Sequence, residues 1–401
     1  MLHCSIARQQ EEAVWENASL VDHARRWAAY TPDRVALTGP DGAVTWRRLD
    51  RDADAWSSRL AAQLGVAPGD RVALLARNHP DFFALFFACR RVGATLAPLN
   101  WRLAVPELDA LLELARPKVL LHDDAFRDTA GKLRLPGGCG MAAVSSPLPT
   151  SPEIRAAAVR SPHPAPALLL FTSGTTGRPK AAMIPDRQIF FNGINTILAW
   201  QLTGADETLL FTPLFHTGAL NVLALPLLQA GGTVHVHDAF CAPAVVDAIA
   251  SGSVSVLFGV PVIFRMLAQT PGFFEAARDR VPGTRDLSPH APGPATHATG
   301  IASRAGSAPG RSRLRLCLGG GAPLPLALIR EYERSGLTLT QGFGMTEAGP
   351  NCFFLPPDQA LSRAGSVGTA MPYCDARIAR KDGSPAAPGE VGELWMRGPH
   401  V

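Results

Sequence analysis

The run Leu168-Leu169-Leu170-Phe171 leads without a break into Thr172-Ser173-Gly174-Thr175-Thr176-Gly177-Arg178-Pro179-Lys180. The apolar residues read as a buried strand. Six consecutive Ser, Thr or Gly residues then force a tight loop at the strand's end. Gly174 and Gly177 let backbone N–H groups converge on an anion with no Cβ in the way. Thr172, Ser173, Thr175 and Thr176 add hydroxyl donors, and Lys180 adds a flexible positive charge. The combination predicts a phosphate cradle delivered by a strand. It is not a Walker A loop, because no Gly-Lys-Ser/Thr follows at the required spacing. A plain polar surface turn is the competing reading, and so dense a set of donors speaks against it.

The pattern of short apolar runs and helical repeats extends along the chain. Leu49, Ala53, Trp56, Leu60 and Leu64 recur at helical spacing, with Gly65 as a stop. Strands are predicted at 71–76, 93–99, 119–122, 208–211, 233–236, 254–258, 314–318 and 337–340. Helices are predicted around 82–91, 244–250, 261–268 and 325–335. This alternation predicts an α/β fold, with parallel sheets covered by helices on both faces. Toward the end, strands at 376–379 and 393–397 stand between Gly and Pro turns, which predicts a small β-rich part over 366–401. Residues 137–166, rich in Pro, Ser and Ala, read as a linker.

Composition narrows the function classes. A chain of 401 residues that is 47% apolar builds a sizeable core and more than one subdomain. Its net charge is only +4, with basic residues scattered, so it offers no stripe for nucleic acid. No segment nears the roughly 20 apolar residues of a membrane span. The richest, residues 82–89, lies between Asp81 and Arg90-Arg91 and reads as a buried amphipathic helix. No apolar signal-peptide core follows Met1. The seven cysteines are odd in number, and no pair has CxxC or metal-ligand spacing, so a reducing cytoplasm is the simplest setting.

Residues 278–313 break the pattern. They hold no Phe, Trp or Tyr, and only Val281, Leu287 and Ile301 as large aliphatics. Such a stretch cannot bury enough apolar surface to order itself, and it is long for a loop inside a compact domain. It is either a tolerated surface insertion or a stretch read in the wrong frame.

Three further constellations carry chemistry. Gln341-Gly342-Phe343-Gly344-Met345-Thr346-Glu347 follows a strand. Its glycines admit a flat ligand, Thr346 offers a hydroxyl, and Glu347 offers an oxygen ligand to Mg²⁺. Alone, an ordinary strand-to-loop turn is the better reading of these residues. Gly319-Gly320-Gly321-Ala322-Pro323 ends another strand and permits close approach of a planar group, though a helix-entry turn has the same look. Pro213-Leu214-Phe215-His216-Thr217-Gly218 sets one histidine in an apolar run, where packing is the commoner role.

Together these stretches resemble the signatures of the AMP-forming adenylating superfamily: acyl-CoA synthetases, aryl-CoA ligases, adenylation domains of peptide synthetases and firefly-type luciferases. The resemblance runs from about residue 20 to Val401, leaving residues 1–19 as an N-terminal extension. Arg34-Val35-Ala36-Leu37, Gly69-Asp70-Arg71-Val72, Gly365-Ser366-Val367-Gly368 and Gly392-Glu393-Leu394 also fit it. It implies the large N-terminal domain of that fold: two parallel-sheet α/β subdomains and part of a small, barrel-like β subdomain. It implies ATP, Mg²⁺ and coenzyme A, with a fatty or aryl carboxylic acid converted to an acyl-adenylate and then a thioester. The loop Thr172–Gly177 with Lys180, together with Gly321, Ala322, Gln341, Gly342, Phe343 and Thr346, would hold the nucleotide. Phe343 stands where Tyr is more usual. Glu347 would hold the metal, and Thr346, Glu347, Lys180 and His216 would act in catalysis. His216, Gly259, Gly319 and Gly320 would border the acid, with Val260 and Pro261 as apolar wall. Amino-acid-activating relatives carry an Asp at the position of His216. No acid lies between Phe215 and Asn221 here, which points to a plain carboxylic acid.

In full-length relatives, the segment like Gly398-Pro399-His400-Val401 is followed by an Asp that holds the ribose, a hinge and a small C-terminal domain with a late Lys. With none of these in the chain, the expectation is ligand binding with severely reduced adenylation. Two alternatives stand beside a coenzyme A ligase: transfer to a carrier-protein phosphopantetheine, and a non-catalytic nucleotide- or acyl-binding remnant.

Overall fold

The computed structural model describes residues 23–146, 148, 165–173, 179–279 and 312–401. Strands are numbered in chain order. Strand β1 (Val35–Gly39) turns back as β2 (Gly42–Thr45), and Thr45 caps the helix Trp46–Ser58 by accepting from the Arg48 amide at 3.2 Å. Leu49, Ala53, Trp56 and Leu60 are buried, as their spacing predicts.

The first large sheet contains β3 (Arg71–Leu75), β4 (Thr95–Pro98), β5 (Val119–His122), β6 (Gly140–Ala143), β7 (Leu168–Ser173) and β8 (Pro179–Ile184). Their order is β6-β5-β3-β4-β7-β8, and every pair is parallel except β7 with β8. The helix Asp81–Arg91 packs into the largest core cluster. Its sequence reads as amphipathic, but every residue from Phe82 to Arg91 is buried. Its two terminal arginines are tolerated inside because carboxylates from elsewhere meet them. Arg90 bonds Asp186 at 2.6 Å, with side chains 0% and 8% exposed. Arg91 bonds Asp54 at 2.8 Å and also reaches Asp50.

A second sheet runs β2-β1-β10-β9, through β9 (Glu207–Leu210) and β10 (Thr233–Val236). A third runs β11-β12-β13-β14-β15, through β11 (Val256–Gly259), β12 (Leu316–Gly319), β13 (Leu339–Met345), β14 (Gly349–Phe354) and β15 (Thr369–Ala370). Its first three strands are parallel and the rest antiparallel. The two sheets adjoin where the Ser255 amide donates to the Glu207 carbonyl at 2.9 Å. Arg315 reinforces the joint with a two-pronged bond to Asp206 at 2.9 and 3.0 Å. A separate core cluster seats the helices Ala242–Ala250, Pro261–Ala268, Phe273–Arg278 and Leu326–Arg334 on β11, β12 and β13. The chain closes with an antiparallel pair, β16 (Asp375–Ala379) and β17 (Glu393–Arg397).

The predicted α/β class holds. Three of the predicted strands coincide with β5, β10 and β17, and most others shift by a residue or two at an end. The sequence reading placed no element at β8 or at the helices Val105–Ala115 and Asp186–Ala199. Strand β6 lies inside the stretch read as a linker. Residues 1–19, residues 149–164 of that stretch and residues 280–311 of the anomalous segment lie outside the described residues. Among the described residues, no helix is long and apolar enough to cross a membrane.

Candidate active site

Two neighbouring parallel strands, β11 and β12, end level with the point where β13 leaves its parallel pairing. Gly259 of β11 pairs with Gly319 of β12, which pairs with Gln341 of β13. The Gly320 amide then donates to the Gly259 carbonyl at 3.2 Å. The carboxyl ends of parallel strands are where α/β sheets gather ligand loops. Packing also demands glycine here. A methyl on Gly319 would lie 2.8 Å from Leu324, and one on Gly320 would lie 3.0 Å from Phe258. Gly321, with φ +76°, turns the chain outward, and Gly321 and Ala322 are exposed.

Phe258 links this floor to the histidine loop, because a methyl on Gly218 would lie 3.8 Å from its ring. His216 ends that loop just before the short helical turn Thr217–Ala219. Its ring lies 4.6 Å from that of Phe215, which in turn meets Trp101 edge-on at 6.3 Å. His216 keeps an exposed edge, yet partial desolvation, aided by the Arg102 charge, holds it below the usual imidazole range. It is therefore neutral at neutral pH.

The Thr346–Glu347 segment follows β13 as a tight turn, Thr346–Ala348. Gln188, from the helix Asp186–Ala199, donates to the carbonyls of Thr346 at 3.2 Å and Glu347 at 3.0 Å. That helix follows β8, and the turn touches β8 directly. Lys180 sits near the start of β8, opposite Thr172 of β7. The fold thus brings the strand carrying Lys180 against the turn carrying Glu347. Both side chains are exposed, and neither forms an ion pair among the described residues. Strands β7 and β8, which flank the predicted cradle in sequence, pair antiparallel. Ser173 pairs with Pro179, while Gly174, Thr175, Thr176 and Gly177 lie outside the described residues.

Gln341 is engaged in the framework. Its Oε1 accepts from the Leu324 amide at 3.2 Å, and its Nε2 donates to the Ser366 carbonyl at 2.5 Å. Phe343 is half-buried and meets Phe353 edge-on at 5.9 Å. The strand at Gly342 and Gly344 runs tight against β14. A methyl on Gly342 would lie 3.0 Å from the Phe353 carbonyl oxygen, and one on Gly344 only 2.2 Å from that of Pro350.

A buried amide network, absent from the sequence reading, joins the two halves of the site. Asn192 donates to the Asn221 carbonyl at 2.6 Å and accepts from the Asn351 amide at 3.1 Å. The Asn351 side chain donates to the Val222 carbonyl at 2.8 Å and to Thr196 Oγ1 at 2.6 Å. Asn221 donates to Thr217 Oγ1 at 3.1 Å, beside His216. Isolated asparagines among apolar residues give no sequence signal for such a role.

The chain matches the family described as AMP-binding enzyme over residues 24–401. The chain belongs to this family of AMP-binding enzymes. It is 35% identical over 384 residues to a feruloyl-CoA synthase of an Amycolatopsis species, covering 94% of this chain and 69% of that protein. It is 34% identical over 394 residues to an indoleacetate–CoA ligase of Aromatoleum aromaticum, with the same shares covered. Among solved structures, the inhibitor-bound N-terminal domain of FACL13 from Mycobacterium tuberculosis superimposes with a TM-score of 0.78 at 25% identity, over 96% of this chain and 90% of that one. AMP-binding enzymes of this kind activate a carboxylic acid with ATP as an acyl-adenylate and pass it to coenzyme A as a thioester. The oxygen donors of exposed Glu347 and half-buried Thr346, on one turn, suit Mg²⁺, which takes oxygen ligands and keeps several waters.

Proposed function

We propose that this chain activates an aryl or arylalkyl carboxylic acid for thioester formation, with the level row of Gly259, Gly319 and Gln341 as its floor. The observation that carries this reading is the convergence of that floor, the His216 loop and the Thr346–Glu347 turn, the last touching β8 and fastened by Gln188 to the helix that follows it. The feruloyl and indoleacetate relatives favour an aryl acid, and the rings of Trp101, Phe215 and Phe258 supply the apolar surface for one.

In this reading the acid lies between His216 and the glycine floor, one carboxylate oxygen aimed at the α-phosphorus of ATP. A new O–P bond forms as the bond to pyrophosphate breaks, and a thiolate sulfur later displaces AMP from the acyl carbon. The protein's work is positioning and charge neutralisation. Neutral His216 donates one N–H to the acid without adding a charge that would trap it. Residues Thr172–Gly177 and Lys180 hold the leaving phosphates, Thr346 donates its hydroxyl to the phosphate, and Gly321, Ala322, Gly342 and Phe343 flank the adenine. Mg²⁺, held through Glu347, supplies neutralisation of phosphate charge. The acceptor is coenzyme A, and the chain works in the cytoplasm; no described cysteine is in a disulfide, in keeping with a reducing compartment.

Binding of non-hydrolysable acyl-adenylate analogues tests the substrate class. The reading predicts that arylpropenoyl and arylacetyl analogues bind at least tenfold more tightly than a long alkyl analogue. Equal or reversed preference would overturn it. Transfer to a purified carrier protein with none to coenzyme A would reassign the acceptor.

A further inference from the structure

Three residues separated in sequence meet beside β14, the strand that follows the Thr346–Ala348 turn. Cys352 lies on β14 and is fully buried. Cys374 lies in the turn before β16 and is 7% exposed, and its amide donates to the Met371 carbonyl at 2.9 Å. His400 follows β17 and is fully buried. The two sulfurs and a ring nitrogen all lie within 4.8 Å of one another. Neither ring nitrogen of His400 has a hydrogen-bond partner. An unsatisfied buried polar group is costly, so an imidazole left this way beside two thiols calls for an occupant. The surroundings leave the ring little room: a methyl on Gly349 would lie 3.5 Å from its Cδ2, and one on Gly398 would lie 2.6 Å from Nδ1.

We propose that Cys352, Cys374 and His400 bind a single metal ion of the zinc class, with a structural role. Two thiolates and an imidazole are the donor set of tetrahedral Zn²⁺, and thiolate donors select it over the hard ions that carboxylates prefer. Three protein ligands leave one position for a water. Burial of all three ligands keeps the ion and its water away from bulk solvent, although the set is one protein ligand short of the four that close an ordinary structural site. Binding releases both thiol protons and gives one imidazole nitrogen the partner it lacks. A Cys352–Cys374 disulfide is the rival, but it would leave both His400 nitrogens unsatisfied. The ion would fasten the β16–β17 pair and the segment after it to β14, which begins directly after the turn bearing Glu347. This site is separate from the Mg²⁺ position at Glu347 and does not depend on the acid that the chain activates.

The test is metal content by mass spectrometry after incubation of the reduced chain with Zn²⁺ and desalting. One retained equivalent is expected, with no retention of Mg²⁺ in its place. Co²⁺ in the same position should give a sulfur-to-cobalt charge-transfer band and intense tetrahedral absorption. Cys352→Ser, Cys374→Ser and His400→Asn should each weaken binding by more than the roughly 10–100-fold that loss of an outer partner costs. Exposed Cys241→Ser should leave it unchanged. The cobalt spectrum of the parent chain needs no variant, so a variant that fails to fold does not blunt the test. Zinc lost on desalting, a cobalt spectrum without a sulfur band, or a Cys352–Cys374 disulfide persisting in reduced, zinc-treated chain would each overturn the proposal.

Discussion

In the proposed reaction Glu347 is the residue on which the chemistry turns. Its backbone is pinned by Gln188 while its carboxylate stays exposed, an arrangement that fixes position without using up the charge. Glu347→Gln should therefore cut Mg-ATP-dependent pyrophosphate release by about 100-fold or more while thermal stability stays within error. Unchanged release in a folded variant would remove Glu347 from the site. His216 carries a second prediction. Its imidazole titrates below the ordinary value near 6.5. Between the two values the unfolded chain binds more protons than the folded one, so this residue's contribution to stability is complete above about 6.5 and lost as pH falls through the lower, folded value. NMR titration of the His216 ring should show the depressed pKa, and an ordinary or raised value would contradict the crowding by Phe215 and Arg102. The sequence singles out both residues through their motifs, and their roles are what these measurements decide. Asn192, Asn221 and Asn351, which hold the pieces together, were not legible there, because a buried amide is recognised only by the partners that the fold supplies.

At the level of elements, legibility followed the clarity of the hydrophobic period. Val119–His122 and Thr233–Val236 are short apolar runs bounded by breakers, and they fold where the pattern puts them. The helix Asp186–Ala199 escaped notice because its buried side includes Asp186, Gln188, Asn192, Asn195 and Thr196, which blur the apolar stripe. Strand β8 begins Pro-Lys-Ala-Ala, a poor strand sequence, and is formed by pairing with β7. Asp186 links that helix to the buried Arg90. Asp186→Ala leaves a guanidinium inside without its partner and should cost about 3–5 kcal/mol in urea denaturation. A loss below 1 kcal/mol would mean that water reaches Arg90 after all. Gly344→Ala forces a methyl against the Pro350 carbonyl, so β13 and β14 must separate. It should cost about 1–3 kcal/mol and impair nucleotide binding as well, since the same hairpin ends in Glu347.

For the molecule as a whole, the site depends on how the sheets are joined. Burial alone would push the Asp206 carboxyl up, but Arg315 and Ser255 outweigh it and hold the pKa below the usual range. The stabilisation from this carboxylate is complete above the ordinary pKa and lost as pH falls through the lower, folded value. Asp206→Asn should thus reduce stability at neutral pH and flatten the acid limb of a denaturation profile. A parallel profile of the two proteins would show that the joint does not rest on this charge. The central claim is that the converging loops form one Mg-ATP and aryl-acid site. Calorimetric titration of the purified chain with an aryl acyl-adenylate analogue, competed by Mg-ATP, tests it most directly. The account predicts one site per chain, mutually exclusive binding of the two ligands, and a Mg²⁺-dependence of ATP binding that Glu347→Gln removes. Simultaneous binding of both, or ATP binding indifferent to Mg²⁺ and to Glu347, would contradict it.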